Sequence, residues 1–179
     1  MVAGLFLVSA CSDGSTSPDG AGAGGEGTST LAVSGAISGQ FSGTASFVPQ
    51  FIEGNLVLLR INLMSDGYDP GGDTEGMGVA FFMDEGGQPI DLTTTSYPTG
   101  PPGPGYVGVT VTHRPGDDTS QSWITGQMAD QGSVTMTHVS DDQIRGTVNI
   151  SLRTPGTVSP ATEIQLTGEF TAICPAPYC

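Results

Sequence analysis

The amino-acid sequence predicts an all-β protein, built as a single antiparallel β-sandwich of about nine or ten short strands. Three observations carry that prediction. From Ser29 onward the apolar residues recur with a period of two. Clusters of Gly, Pro, Asp and Ser punctuate the runs, and no stretch of about eleven residues or more presents an apolar face at helical spacing.

Taken in chain order, Phe41, Ala45 and Phe47 alternate with Ser42, Thr44 and Ser46, the pattern of a strand with one buried face. Residues 56–64 (LVLLRINLM) are apolar on both parities over their first half and read as a central strand covered on both sides. Val107, Val109 and Val111 alternate with Gly108, Thr110 and Thr112. His138 shares the parity of Val134 and Met136, so it is expected to point toward the core near the end of its strand. Val148, Ile150 and Leu152 oppose Asn149 and Ser151, and the last strand sets Ile164, Leu166, Gly168, Phe170 and Ala172 against Gln165, Thr167, Glu169 and Thr171. Turn signals separate these runs at residues 65–76 (SDGYDPGGDTEG), 84–89 (DEGGQP), 99–105 (TGPPGPG), 114–118 (RPGDD), 140–143 (SDDQ) and 154–160 (TPGTVSP). Strict alternation with long, Pro-rich loops favours the sandwich over a barrel.

The chain of 179 residues is about one domain's worth, and a hydrophobic share of 36% supports a core despite 28 Gly and 13 Pro. Eighteen acidic residues face 4 basic ones, for a formal net charge of −14, and every basic residue is Arg. Such a surface repels phosphate backbones, which excludes nucleic acid as a partner. It also lacks the clustered Lys or Arg that recruits proteins to anionic headgroups, so membrane attachment has to be covalent or hydrophobic.

The first residues supply such a route. Residues 2–10 (VAGLFLVSA) are apolar or small throughout, yet nine helical residues rise only about 14 Å, half of a bilayer's hydrocarbon core. That length suits the apolar region of a secretory signal. The run ends in Val8-Ser9-Ala10-Cys11, which resembles the lipobox of bacterial lipoproteins, although no Lys or Arg precedes it. The resemblance implies that Cys11 is acylated and becomes the first mature residue. Ser12 in place of Asp directly after it implies transport to the outer membrane where a cell has two membranes. The resulting organisation is a signal segment (1–10), a Gly/Ser-rich tether (11–28) and a β-sandwich domain (29–179). Residues 132–152 followed by 166–171 also resemble the closing strands of small secreted bacterial β-sandwich lipoproteins, a loose group without an assigned function. An exported address is oxidising, so Cys174 and Cys179 are expected to form a disulfide; two thiolates with His113 and His138 far off in sequence make a poor zinc site.

Candidate sites are few. Asp66, Asp69, Asp73 and Glu75 lie within ten residues among glycines, the ingredients of a calcium site, but at offsets that do not fit the helix-loop-helix pattern; the plainer reading is a solvated acidic turn. Asp84-Glu85, Asp117-Asp118 and Asp141-Asp142 read as turn acids. Tyr68, Tyr97 and Tyr106 lie in or beside Gly/Pro-rich loops and could stack on sugars or anchor a partner, as could Trp123, whose plainer reading is a core residue. No G-x-S-x-G motif, nucleophile–base pair or phosphate-cradling glycine loop is present, and no catalytic residue is assigned. The sequence thus leads to a non-enzymatic, lipid-anchored extracytoplasmic module that binds a partner or serves an envelope assembly. The alternative is a carbohydrate- or calcium-binding surface module, and no other cofactor is expected.

Overall fold

The computed structural model describes residues 26–69, 74–101, 103–115, 120–125, 131–156 and 160–179. Its elements are β1 (Gly27–Gly35), β2 (Gly39–Ile52), β3 (Asn55–Ser65), β4 (Gly76–Asp84), β5 (Ser96–Pro98), β6 (Val107–Arg114), β7 (Gln121–Ile124), β8 (Gly132–Val139), β9 (Gln143–Arg153) and β10 (Glu163–Ile173). The all-β expectation holds, and the turn signals fall between strands. The sandwich does not hold. The strands form one sheet that closes into an eight-strand barrel in the order β1, β2, β3, β4, β6, β7, β9, β10 and back to β1. β8 pairs with β9, and β5 pairs with β8.

Alternation cannot separate the two architectures, because both bury every second residue. What decides is which strands pair across the ends of the chain. β1 lies antiparallel to β10 from Thr28↔Thr171 to Gly35↔Ile164, and on its other edge antiparallel to β2 from Gly27↔Ala45 to Val33↔Gly39. The opposite seam is short: β7 meets β9 at the single pair Ile124↔Arg153.

A small barrel is filled by its own side chains. Leu31 and Val33 of β1, Phe47 of β2, Leu59, Ile61 and Leu63 of β3, and Val79 and Phe81 of β4 meet Val109 and Val111 of β6, Ile150 and Leu152 of β9, and Leu166 and Phe170 of β10 in one cluster. Trp123 anchors the four-residue β7. Its ring is fully buried, and its Nε1–H donates to Thr162 Oγ1 at 3.0 Å, so the polar end of the indole is satisfied. Thr125, also buried, accepts the Val109 N–H at 2.9 Å where β7 ends.

Two strand expectations are corrected. β3 is covered on one side only: Val57, Leu59, Ile61 and Leu63 face inward, while Leu58 and Met64 are half-exposed on the outer wall. A single-layer barrel offers no second layer to cover them. His138 is exposed instead of facing the core. A register shift between Met136 and His138 inserts one residue into β8, which reverses the parity beyond it and turns Val139 toward the core.

Glycines sit where strands approach too closely for a side chain. On the inner face, Gly146 lies opposite Phe170, and a Cβ there would stand 2.7 Å from the Phe170 ring and 2.6 Å from Thr135 O. The ring occupies that space and packs against Phe81 with centroids 5.7 Å apart. Gly168, at φ 153°, bends β10 against β1, where a Cβ would strike the Thr30 carbonyl. Gly168→Ala is therefore expected to destabilise the barrel by more than about 2 kcal/mol, read as a lower urea midpoint at unchanged m-value.

Candidate functional site

The strand ends define two rims. At one rim lie the β1–β2 turn, the start of β4 and the acidic loop; at the other lie the β2–β3 hairpin, the β8–β9 turn and the end of β10. The second rim stays open and apolar.

Along β2, Phe47, Pro49 and Phe51 line that rim, and their exposure rises toward the tip: Phe47 is 3% exposed and Phe51 58%. β1 ends its pairing with β2 at Ala45, and β10 touches β2 only at Ser46, so the hairpin continues past the ring. Its turn is Glu53-Gly54, with φ 51° and 81°, which is the left-handed pair of a two-residue type I′ hairpin. The register slips between Gln50 and Phe51 just before the tip. Opposite the hairpin stand Val139 and Ile144 from the β8–β9 turn, and Leu92 from the connection after β4, whose Ile90 N–H donates to Leu56 O at 2.7 Å.

The remaining wall is the C-terminal turn. Cys174 and Cys179 are disulfide-bonded with Cα atoms 6.0 Å apart, and the Cys174 N–H donates to Asp142 O at 3.0 Å, which ties the turn to the β8–β9 loop. Tyr178 projects from this turn into the rim and is 59% exposed. Together these residues enclose a pocket of about 380 Å³. Among the described residues, the large hydrophobic side chains left exposed are Phe51, Ile52 and Tyr178, all at this end.

The pocket is apolar, with one carboxylate in its lining and three more on residues close in the chain to its walls. Asp141 belongs to its lining, Asp142 follows, Asp91 precedes Leu92, and Glu53 lies at the hairpin tip; all four are exposed. None of the four arginines lines it.

Cys179 and Asp141 are at this pocket, while the aromatic and metal-ligand candidates singled out from sequence lie elsewhere. Trp123 is interior and closed to a ligand. Tyr68 lies on the outer face of β4, over Gly76 and Gly78; a Cβ on Gly78 would meet Tyr68 Cε1 at 2.8 Å. Tyr106 covers Gly100 in the same way, and the Tyr97 hydroxyl accepts the Thr93 N–H at 2.8 Å and donates to Thr93 O at 3.0 Å. Each tyrosine is half-buried and engaged in local packing. Asp66, Asp69 and Glu75 are exposed at the far rim, where the Asp69 N–H donates to Thr74 Oγ1 at 2.7 Å; Asp73 lies outside the described residues, as do Cys11 and the signal segment. No group of three or more metal-ligating side chains comes together among the described residues.

Beside Tyr68, a shallow groove of about 180 Å³ runs over the outer wall between β3 and β6. Its floor includes Arg60, which lies 5.2 Å over the Phe82 ring while its Nε–H donates to Asn62 Oδ1 at 2.7 Å.

The apolar rim had a signal in the sequence. Phe51 and Ile52 are adjacent, so a strand cannot bury both, and the Glu-Gly that follows is a hairpin turn without the usual Asn. Comparison with protein-family models, curated proteins and solved structures finds no match.

Replacing Cys174 and Cys179 together by Ser is expected to cost about 2 kcal/mol in the chain-entropy account of so small a loop. Urea titration with and without reductant checks it: the reductant shifts the midpoint of the native chain and leaves the double variant unmoved.

Proposed function

We propose that the chain is a lipid-anchored extracytoplasmic barrel that acts by binding and not by catalysis, held at the outer membrane or the periplasmic side by an acylated Cys11. The observation that carries the binding half is the apolar pocket at the hairpin rim. A soluble surface buries large hydrophobic groups unless something else covers them, and single exposed ones need no explanation. Here two of them, Phe51 and Tyr178, line one concavity, and Ile52 follows Phe51 at the hairpin tip. The anchoring half rests on the lipobox resemblance and on the direction of the chain: β1 enters the barrel at Gly27, beside Ala45 and close to Phe47 of the apolar rim. Residues 11–26, which connect to that point, have the Gly/Ser-rich composition of a tether.

The test is mass spectrometry of the protein recovered from the membranes of its own cells. The expected N-terminal peptide begins at an acylated Cys11. An intact, unmodified peptide containing residues 1–10 on the mature protein overturns the anchoring. Chemical crosslinking of the same material addresses binding, with a stoichiometric partner expected.

A second reading has its own observation. The Tyr68–Phe82 groove offers aromatic surface next to the Arg60 and Asn62 side chains, the chemistry that receives a sugar face. A glycan-array signal lost in Phe82→Ala would favour it. For calcium, Asp66, Asp69 and Glu75 are exposed, and no group of three or more metal-ligating side chains comes together among the described residues. Millimolar calcium is therefore expected to leave the melting temperature where sodium chloride of equal ionic strength leaves it. A rise of several degrees that disappears in Asp69→Ala reverses that expectation.

A further inference from the structure

We propose that the open apolar rim is the docking site for a basic segment of a partner protein. The pocket receives a bulky apolar side chain of that segment, and the surrounding carboxylates receive the Lys or Arg residues beside it. The inference rests on the reading of the chain as a binding module and supplies the chemistry of its partner.

The pocket sets the apolar half. A volume of about 380 Å³ accommodates one or two large side chains, the scale of an anchor residue at an interface hot spot. Its wall is already formed by Phe47, Leu59 and Ile144, which belong to the core, so an incoming group meets packed side chains and requires little rearrangement. Phe51 and Tyr178, at 58% and 59% exposure, stand at the mouth where they can close over it.

The carboxylates set the charged half. Asp141 lines the pocket, the exposed Asp91 and Asp142 are chain neighbours of the lining residues Leu92 and Asp141, the exposed Glu53 ends the hairpin that carries Phe51, and no arginine is in the lining to neutralise them. The whole chain adds a formal charge of −14. Such a field raises the encounter rate of cationic segments and lowers that of acidic ones. The same carboxylates weigh against the other occupants of an apolar rim. A second copy would bring two acidic mouths together, and an anionic lipid surface would repel the rim as it approached.

The experiment selects peptides of about a dozen random residues, displayed on phage, against the immobilised full chain, and then titrates the enriched peptides by fluorescence anisotropy. Expected is enrichment of Lys or Arg around a Leu, Phe or Trp, with affinity that falls as salt rises. Phe51→Ser, at an exposed position that leaves the circular dichroism and melting unchanged, should weaken binding about tenfold or more. Asp91→Asn with Asp141→Asn should flatten the salt dependence. No enrichment, enrichment without excess Lys or Arg, or peptides indifferent to Phe51→Ser overturns the proposal. So does preferential binding to phosphatidylcholine vesicles, which makes the occupant a lipid surface, or peptide-insensitive self-association in sedimentation, which makes it a second copy. A crosslinked partner in native membranes that ignores Phe51→Ser removes this inference and leaves the binding module standing.

Discussion

Closure of the ring depends on β1, which pairs along most of its length with β10 on one edge and with β2 on the other. An open sheet would leave those two edges as rows of unpaired N–H and C=O groups, a template for other chains. β1 covers both, and where it begins, β10 and β2 come together directly at Ile173↔Ser46. Gly27 stands at that convergence, where a Cβ would strike the Ala45 and Thr171 carbonyls. The first strand is thus a wedge between the second and the last. The point at which the chain enters the barrel is fixed beside the apolar rim by the same pairing that closes the ring.

The rim follows from how the wedge ends. Beyond Ala45, β2 has lost its β1 partner and continues with β3 as a hairpin, carrying Pro49 and Phe51 outward in the parity that Phe47 uses inside. Irregularities gather at this end: a register shift precedes the hairpin tip, and the β8 bulge turns Val139 toward the opening while releasing His138 to solvent. Bulges are common at barrel rims, where they re-aim side chains. Both of these re-aim residues around one pocket. The far rim carries the exposed Asp66, Asp69 and Glu75 and shows no comparable apolar gathering among the described residues.

Class, strand faces and turns were legible in the sequence because each depends on neighbours along the chain. Val107, Val109 and Val111 are buried where alternation puts them, and Cys174 meets Cys179 across the short loop that their proximity and an exported address suggest. Barrel against sandwich was not legible. That choice lies in pairings such as Thr28↔Thr171, between residues at opposite ends of the chain, which leave no local mark. The exposure of His138 was not legible for a related reason, since one inserted residue reverses a parity that is otherwise dependable. Tyr68 and Tyr106 lie in or beside loops, as the sequence places them, but they also fill the space that Gly78 and Gly100 leave empty. Seeing that requires knowing which strand passes beneath which ring.

In the proposed docking, the apolar pocket and the carboxylates near it divide the labour at the rim. Burial of a Leu- or Phe-sized group contributes roughly 1.5–3 kcal/mol when it is complete, and it is indifferent to what surrounds that group in the partner. Exposed carboxylates contribute little energy each, but they reject acidic neighbours and speed the approach of basic ones. Glu53 lies beside Phe51 and Ile52 at the tip, so the hairpin presents both properties within three residues. A charge there opposes deep entry into hydrocarbon, where an unpaired carboxylate is costly, and it leaves contact with a cationic surface favourable. The tip therefore suits a partner that is apolar at its centre and basic around it better than one that is apolar throughout.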